Sequence, residues 1–213
     1  MKTFKNADGK SILLNMVKTI QENKAYLGEV DGLIGDGDHG MNMNKGFTLF
    51  ADRFAEEEFG FSEGMEELGM ILFNEIGGSM GPIYGTIFMS MAETLEDTEE
   101  IGISEVAGML EAGLKNLQDI VEAQVGDKTL MDTLSPAVDT MKKAAEENRD
   151  FSEALSEMIR AAENGRDSTK DLVAKFGRSS RLGERSRGVL DAGSVSCCLL
   201  LTAMAESVQD LLK

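Results

Sequence analysis

Apolar residues recur at helical spacing along almost the whole chain. From about Lys10 to Gly28, the residues Ile12, Leu13, Met16, Val17 and Ile20 share one face of a helix. A second helix is predicted from about Met41 to Glu58, with Phe47, Leu49, Phe50 and Phe54 available for burial. Ser62 is a fair N-cap for a third, which turns Met65, Leu68, Met70, Ile71 and Leu72 inward and runs into Gly77. Pro82 suits the first turn of a fourth helix reaching about Leu95. That helix is nearly all apolar (Ile87, Phe88, Met89, Met91) and is expected to be central and buried. Ser104 is placed to cap a fifth, carrying Val106, Met109, Leu110, Leu114, Leu117 and Val121. After the polar turn Val125–Asp132, a sixth helix reaches about Glu147. Phe151 to about Phe176 reads as a long, mostly polar seventh, with Leu155, Met158, Ile159, Ala162 and Leu172 inward. An eighth runs from about Ala192 to Leu212.

Strand-like alternation is hard to find, and Ala, Leu, Met, Glu and Lys dominate. The expected fold is therefore all-α. It is an antiparallel up-and-down bundle or barrel of eight helices, forming one domain over residues 1–213 with no internal repeat. Helices on short connections are normally antiparallel neighbours. Counting them in that arrangement puts the loops after helices 1, 3, 5 and 7 at one end. Those loops are the unusual ones: Asp31–Gly40, Gly77–Pro82, Gly126–Thr129 and Gly177–Asp191. A functional site is expected where they meet.

Composition narrows the class. At 213 residues and 42% hydrophobic content the chain can bury a sizeable core. A formal net charge of −17 repels phosphate-rich partners, so nucleic acid and anionic membranes are not expected. No run of about 18 uninterrupted apolar residues suggests a membrane span, and the N-terminus lacks the apolar segment of a signal peptide. Cys197 and Cys198 are adjacent, a poor arrangement for a disulfide, and read as reduced core residues of a cytoplasmic protein. The fourteen methionines read as core filler.

The loop Asp31-Gly-Leu-Ile-Gly-Asp36-Gly-Asp38-His39-Gly40 changes the picture most. Three carboxylates within eight residues repel one another unless a hard cation or full solvation relieves them. Oxygen ligands in a glycine-rich turn suit Mg²⁺ or Ca²⁺ and not zinc. An EF-hand fails, because the twelfth position counted from Asp36 is Phe47 rather than a bidentate Glu. Since a helix resumes just after the turn, its free N–H groups and dipole favour a phosphate there. His39 is the lone histidine, so polyhistidine metal sites are excluded; beside the acidic cluster, a phosphoryl or nucleotide contact is favoured over a solvated turn residue. Gly77–Gly85 can present backbone N–H groups to phosphate, or be plain turn chemistry. Asp127-Lys128-Thr129 reads as a solvated turn. Arg178, Arg181, Arg185 and Arg187 face one acid, Glu184. They form a solvated run, a docking surface, or a source of phosphate-neutralising charge. The chain has no G-x-x-x-x-G-K-[ST] motif and no G-x-G-x-x-G after a strand, which sets aside P-loop and Rossmann sites.

Together, four ordered motifs resemble the L subunit of dihydroxyacetone kinases. They are Asp31-x4-Asp36-Gly-Asp38-His39-Gly40-x-Asn42-Met43, then Gly77-Gly78-x-x-Gly81-Pro82-x-Tyr84-Gly85-Thr86, then Gly126-Asp127-Lys128-Thr129, and last Gly177-Arg178-x-Ser180-x-Leu182-Gly183-Glu184-Arg185-Ser186 followed by Asp191-x-Gly193. The resemblance covers essentially the whole chain. It implies an eight-helix barrel holding ADP or ATP through two Mg²⁺ ions on Asp31, Asp36 and Asp38. It further implies nucleotide contacts from His39, Gly40, Met41 and Asn42, from Ser79 and Met80 near the phosphates, from Leu130 at the adenine, and from Arg178 and Asp191-Ala192-Gly193. Two loops depart from the common family pattern: the glycine loop reads Gly-Gly-Ser-Met-Gly-Pro and the later one Asp-Ala-Gly. Val121 also stands where the family often has Gly.

A standalone L subunit resembles the phosphotransferase-system branch. That branch implies an M subunit whose phosphohistidine charges bound ADP, a K subunit that presents dihydroxyacetone, and self-association as a homodimer among the assembly states. A nucleotide-sensing regulatory module, or a kinase subunit for a related tetrulose or tetritol, are the rival readings.

Overall fold

In α1, Lys10–Ile34, the apolar stripe does not stop at Gly28: Leu27, Val30 and Ile34 continue it into the core. A computed structural model describes residues 2–212. In it α1 runs six residues beyond the expected end, because Gly28 and Gly32 serve close packing rather than termination. A Cβ at Gly28 would touch the Gly37 carbonyl at 3.4 Å, and one at Gly32 would sit 3.9 Å from the Gly37 Cα. The other helices are α2 (His39–Phe54), α3 (Phe61–Glu75), α4 (Met80–Glu93), α5 (Ile103–Ile120), α6 (Met131–Glu146), α7 (Phe151–Ser168) and α8 (Ala192–Leu211). Each packs on the next and α8 returns against α1, so the ring closes. The eight-helix antiparallel fold is as the periodicity predicts.

Boundaries moved where a partner from elsewhere in the chain decided them. α3 starts at Phe61 rather than after a Ser62 cap. The Asn6 side chain accepts from the Ser62 N–H at 3.0 Å and donates to its hydroxyl at 2.9 Å, doing the capping from a distant segment. α5 starts at Ile103, with the Glu105 carboxylate accepting from Gly102 N–H at 2.9 Å, so Ser104 is not the cap. α7 ends at Ser168, eight residues early. A 3-10 turn (Thr169–Asp171) follows, and Leu172 is only half-buried. A further 3-10 stretch covers Arg178–Ser186. The periodicity gave no sign of two short strands, β1 (Phe4–Lys5) and β2 (Glu100–Ile101), which pair antiparallel.

All eight helices feed one continuous apolar cluster. α4 is largely buried, as expected, but α8 is more enclosed, with thirteen buried residues spread over all its faces. By length and apolarity alone α8 is long enough to cross a bilayer; here that apolar surface is spent on the core. Met16, Met43, Met65, Met91, Met109, Met131, Met141, Met158 and Met204 all lie in the core. Cys197 and Cys198 are free and buried.

Candidate functional site

The four loops singled out in the sequence line one cavity of about 630 Å³. All four therefore lie at one end of the ring, as the helix count predicts. With α1, α3, α5 and α7 running towards that end, α2, α4, α6 and α8 all begin there. Asp38 and His39, Ser79 and Met80, Leu130, and Asp191 and Ala192 mark those four starts, and all of them line the cavity. Four helix N-termini face one space, and their free N–H groups and dipoles favour an anion there despite the acidic chain.

At one side sit the carboxylates. Asp31 lies on the last turn of α1 rather than in the loop, Asp36 is in the loop, and Asp38 is the N-cap residue of α2. Each can offer an oxygen within 4.8 Å of the others. Gly37, at φ +78°, makes the tight turn that folds Asp36 and Asp38 back toward the helix. A Cβ at Gly35 would collide with the Asp31 carboxylate at 2.3 Å, so glycine leaves that group its space. Asp38 is pushed up from the usual carboxylate range, first by burial, then by Asp36 and Asp31; the Asn42 side chain opposes this. Mutually repelling all-oxygen donors at this separation fit a hard divalent cation such as Mg²⁺. The Arg178 guanidinium also reaches this group, 2.6 Å from Asp36 Oδ2.

The sequence-predicted residues separate here. His39, Ser79, Met80, Leu130, Arg178, Asp191, Ala192 and Gly193 line the cavity with the three aspartates. Gly40, Met41 and Asn42 do not. Gly40 is buried where α2 crosses α1, and a Cβ there would lie 2.0 Å from the Lys24 carbonyl. Met41 is exposed on the rim, and Asn42 supports Asp38.

His39 is buried and its Nε2 lies 2.8 Å from the Ser196 hydroxyl. Ser196 in turn lies 2.6 Å from the Tyr84 hydroxyl and donates to the Gly193 carbonyl at 3.1 Å. This chain ties the starts of α2, α4 and α8 together. Burial pulls the His39 pKa down to about 4 against the pull of Asp31, so the ring is neutral near pH 7. Asp191 caps α8 by accepting from the Ser194 N–H at 2.7 Å. Burial raises it to about 6, opposed by that hydrogen bond and by Lys128.

The Asp127-Lys128-Thr129 turn is not solvated, contrary to expectation. Asp127, Lys128 and the following Asp132 are buried. Asp132 accepts from the Gly126 N–H at 2.6 Å and the Thr129 N–H at 2.8 Å. Sequence reasoning also missed Ser196, which looks like any small residue of an apolar helix, and gave Tyr84 no role beyond its place in the glycine motif. The far wall is apolar: Ile34, Ile83, Ile120, Val121, Leu130 and Phe176. A polar end with carboxylates and helix starts, joined to an apolar wall, suits a ligand with a polyanionic head and a flat apolar body.

Residues 33–206 match the DAK2 domain model. The chain belongs to the DAK2-domain family. It is 35% identical over 201 residues to the "PEP-dependent dihydroxyacetone kinase 2, ADP-binding subunit DhaL" of Listeria innocua, covering 93% of each chain. It is 32% identical over 188 residues to the corresponding ADP-binding subunit of Escherichia coli, covering 87% of this chain and 89% of that one. An L-erythrulose kinase of Pectobacterium atrosepticum is 29% identical over 86% of this chain but only 32% of its own length. In fold, this DAK2-domain chain matches the crystal structure of the C. freundii dihydroxyacetone kinase in complex with AMP-PNP and Mg²⁺. There the TM-score is 0.72 and the identity 22%, over 97% of this chain and 35% of that one.

Proposed function

We propose that this chain is the nucleotide-binding subunit of a multi-subunit dihydroxyacetone kinase. In this reading it holds ADP or ATP with two Mg²⁺ ions and relays a phosphoryl group between two partner proteins in the cytoplasm. The observation that carries the reading is the convergence on one cavity of three carboxylates, an arginine and four helix starts, facing an apolar wall. Relatives at 32–35% identity that match over most of their length are named ADP-binding subunits.

Asp31, Asp36 and Asp38 would hold the metal. Bound nucleotide would supply the terminal phosphate oxygen through which the phosphoryl group passes. The chain's own residues position and neutralise. The N–H groups at the starts of α2, α4 and α8 would hold the phosphates, and Arg178 adds a positive charge beside Asp36. Ile34, Val121, Leu130 and Phe176 form the wall for the base. His39 is not a proton donor here: its Nε2 is engaged by Ser196 and its ring is neutral. In this reading the base that activates the sugar hydroxyl belongs to the protein presenting the acceptor.

The rim supports partner docking. Among the described residues, six of the seven exposed large apolar side chains (Leu33, Met41, Phe73, Ile120, Val125 and Phe176) lie at this end. In this reading the rim receives an M subunit carrying phosphohistidine and a K subunit carrying dihydroxyacetone. The acceptor is selected on another chain, so a related tetrulose fits the same site, and the erythrulose kinase likeness favours that second reading. The test is Asp36→Ala in the complex reconstituted with K and M subunits. Phosphoryl transfer should fall by at least about 100-fold, the scale of removing a charge that holds a transferring phosphate. Near-normal transfer refutes the metal assignment.

A further inference from the structure

Lys128 is disfavoured twice where it stands. The residue is 1% exposed, and its backbone takes the left-handed φ of 62° that lysine rarely adopts. What offsets this is where the ammonium points. Nζ donates to the Thr169 carbonyl and, at 2.5 Å, to the Val189 carbonyl. Those two carbonyls flank residues 170–188, the loop that carries Arg178. One side chain therefore ties together the two ends of that loop.

Three backbone N–H groups fasten the same segment, two through carbonyls and one through a hydroxyl. Gly188 N–H donates to the Lys170 carbonyl at 2.7 Å, Asp191 N–H to the Thr169 hydroxyl at 3.1 Å, and Lys175 N–H to the Asp127 carbonyl at 3.2 Å. The Lys175 ammonium adds a bond to Asp127 at 2.6 Å. Asp132 fixes the turn beneath Lys128 through the Gly126 and Thr129 N–H groups. Asp191 and Asp132 supply the negative charge that keeps an enclosed ammonium tolerable. Lys128 also lines the cavity, but two of its three protons are committed to carbonyls of the loop neck, so it is placed to fasten rather than to bind phosphate as a free cation.

We infer that Lys128 is a positioning residue: its ammonium closes the neck of the 170–188 loop, holds Arg178 over the carboxylate end of the cavity, and slows the escape of bound nucleotide. The last element rests on the nucleotide reading above; the closed neck does not. It gives the otherwise unexplained Gly126-Asp127-Lys128-Thr129 motif a task. It also gives a physical reason for slow nucleotide release, since Phe176, Gly177, Arg178 and Ser179 of this loop line the cavity.

The test is Lys128→Met in the full chain, which keeps an unbranched side chain one atom shorter and removes its donors. Two measurements are made. Trypsin cleavage after Arg178, Arg181, Arg185 and Arg187 should accelerate, and release of pre-loaded fluorescent ADP–Mg²⁺, chased with unlabelled ADP, should accelerate too. Both should rise roughly tenfold, the factor that goes with losing buried charged hydrogen bonds. Leu13→Ala controls for general destabilisation: it hollows the core at the closed end, should lower the thermal midpoint, and should move neither readout. If Lys128→Met does not fold, Lys128→Gln keeps amide N–H donors on a shorter side chain and should show smaller increases in the same direction. Cleavage and release within about twofold of the parent in a folded variant overturn the inference. If the parent binds no nucleotide, the nucleotide reading fails while the trypsin measurement still decides whether Lys128 closes the neck.

Discussion

Two titratable residues at the cavity, the half-buried Asp191 and the buried His39, couple folding to pH with opposite signs. Asp191 rises from 3.8 to about 6 on folding, so the folded chain holds its proton more tightly. The associated stability is complete below pH 3.8 and is lost as the pH climbs through 6. His39 falls from 6.5 to about 4, so its contribution is present above pH 6.5 and is lost as the pH falls toward 4. In the parent the two slopes largely cancel between those limits. Asp191→Asn keeps a helix cap but does not titrate. Between pH 5 and pH 7.5 it should therefore gain about 1.5 kcal/mol on the parent, half of the roughly 3 kcal/mol that the full shift represents. Urea unfolding at the two pH values measures this. An equal difference between variant and parent at both values contradicts a raised Asp191.

Helix contacts set the geometry that individual residues use. Asp31 rides on α1 while Asp38 and His39 begin α2, so their separation depends on how closely these helices cross. Gly40 permits that crossing, with only 2.0 Å between a would-be Cβ and the Lys24 carbonyl. Gly40→Ala should cost about 2 kcal/mol through forced separation and weaken Mg²⁺-dependent nucleotide binding with it. Gly108 in α5 meets nothing within 4 Å, so Gly108→Ala should instead stabilise by up to about 1 kcal/mol with binding unchanged. Thermal unfolding and a titration with ADP–Mg²⁺ on each variant separate the two cases.

The same scale explains what the sequence could and could not disclose. The existence of all eight helices was legible because their apolar stripes are long and regular. The cluster Asp31, Asp36 and Asp38 was legible because carboxylates that close in sequence need a reason to be there. Helix ends were not legible where a distant residue decided them, as Asn6 does for α3. Gly28 and Gly32 misled because glycine for close packing and glycine for termination look alike in a string. Lys128 and Ser196 were hidden for another reason. Burial turns an ordinary polar residue into a structural one, and burial is a property of the folded ring.

Across the whole molecule, charge is unevenly placed. A chain of net charge −17 concentrates Arg178, Arg181, Arg185 and Arg187 in one rim loop. Arg178 pairs with Asp36 and Arg187 with Glu184, while Arg181 and Arg185 have no ion-pair partner among the described residues. Two unpaired guanidinium groups beside exposed apolar side chains suit a partner with an acidic, partly apolar face. Arg181→Glu with Arg185→Glu should slow association with partner subunits by about tenfold or more at low salt and leave ADP affinity unchanged. Binding kinetics at two ionic strengths read this; unchanged association rates exclude these arginines from docking.

The central claim is that the three aspartates hold a nucleotide through Mg²⁺. It is tested most directly by equilibrium titration of the purified chain with ADP, in Mg²⁺ and after chelation. The account predicts about one ADP bound per chain in Mg²⁺, released when the metal is removed and not bound by Asp36→Ala. No binding in Mg²⁺, or binding indifferent to chelation, would contradict it.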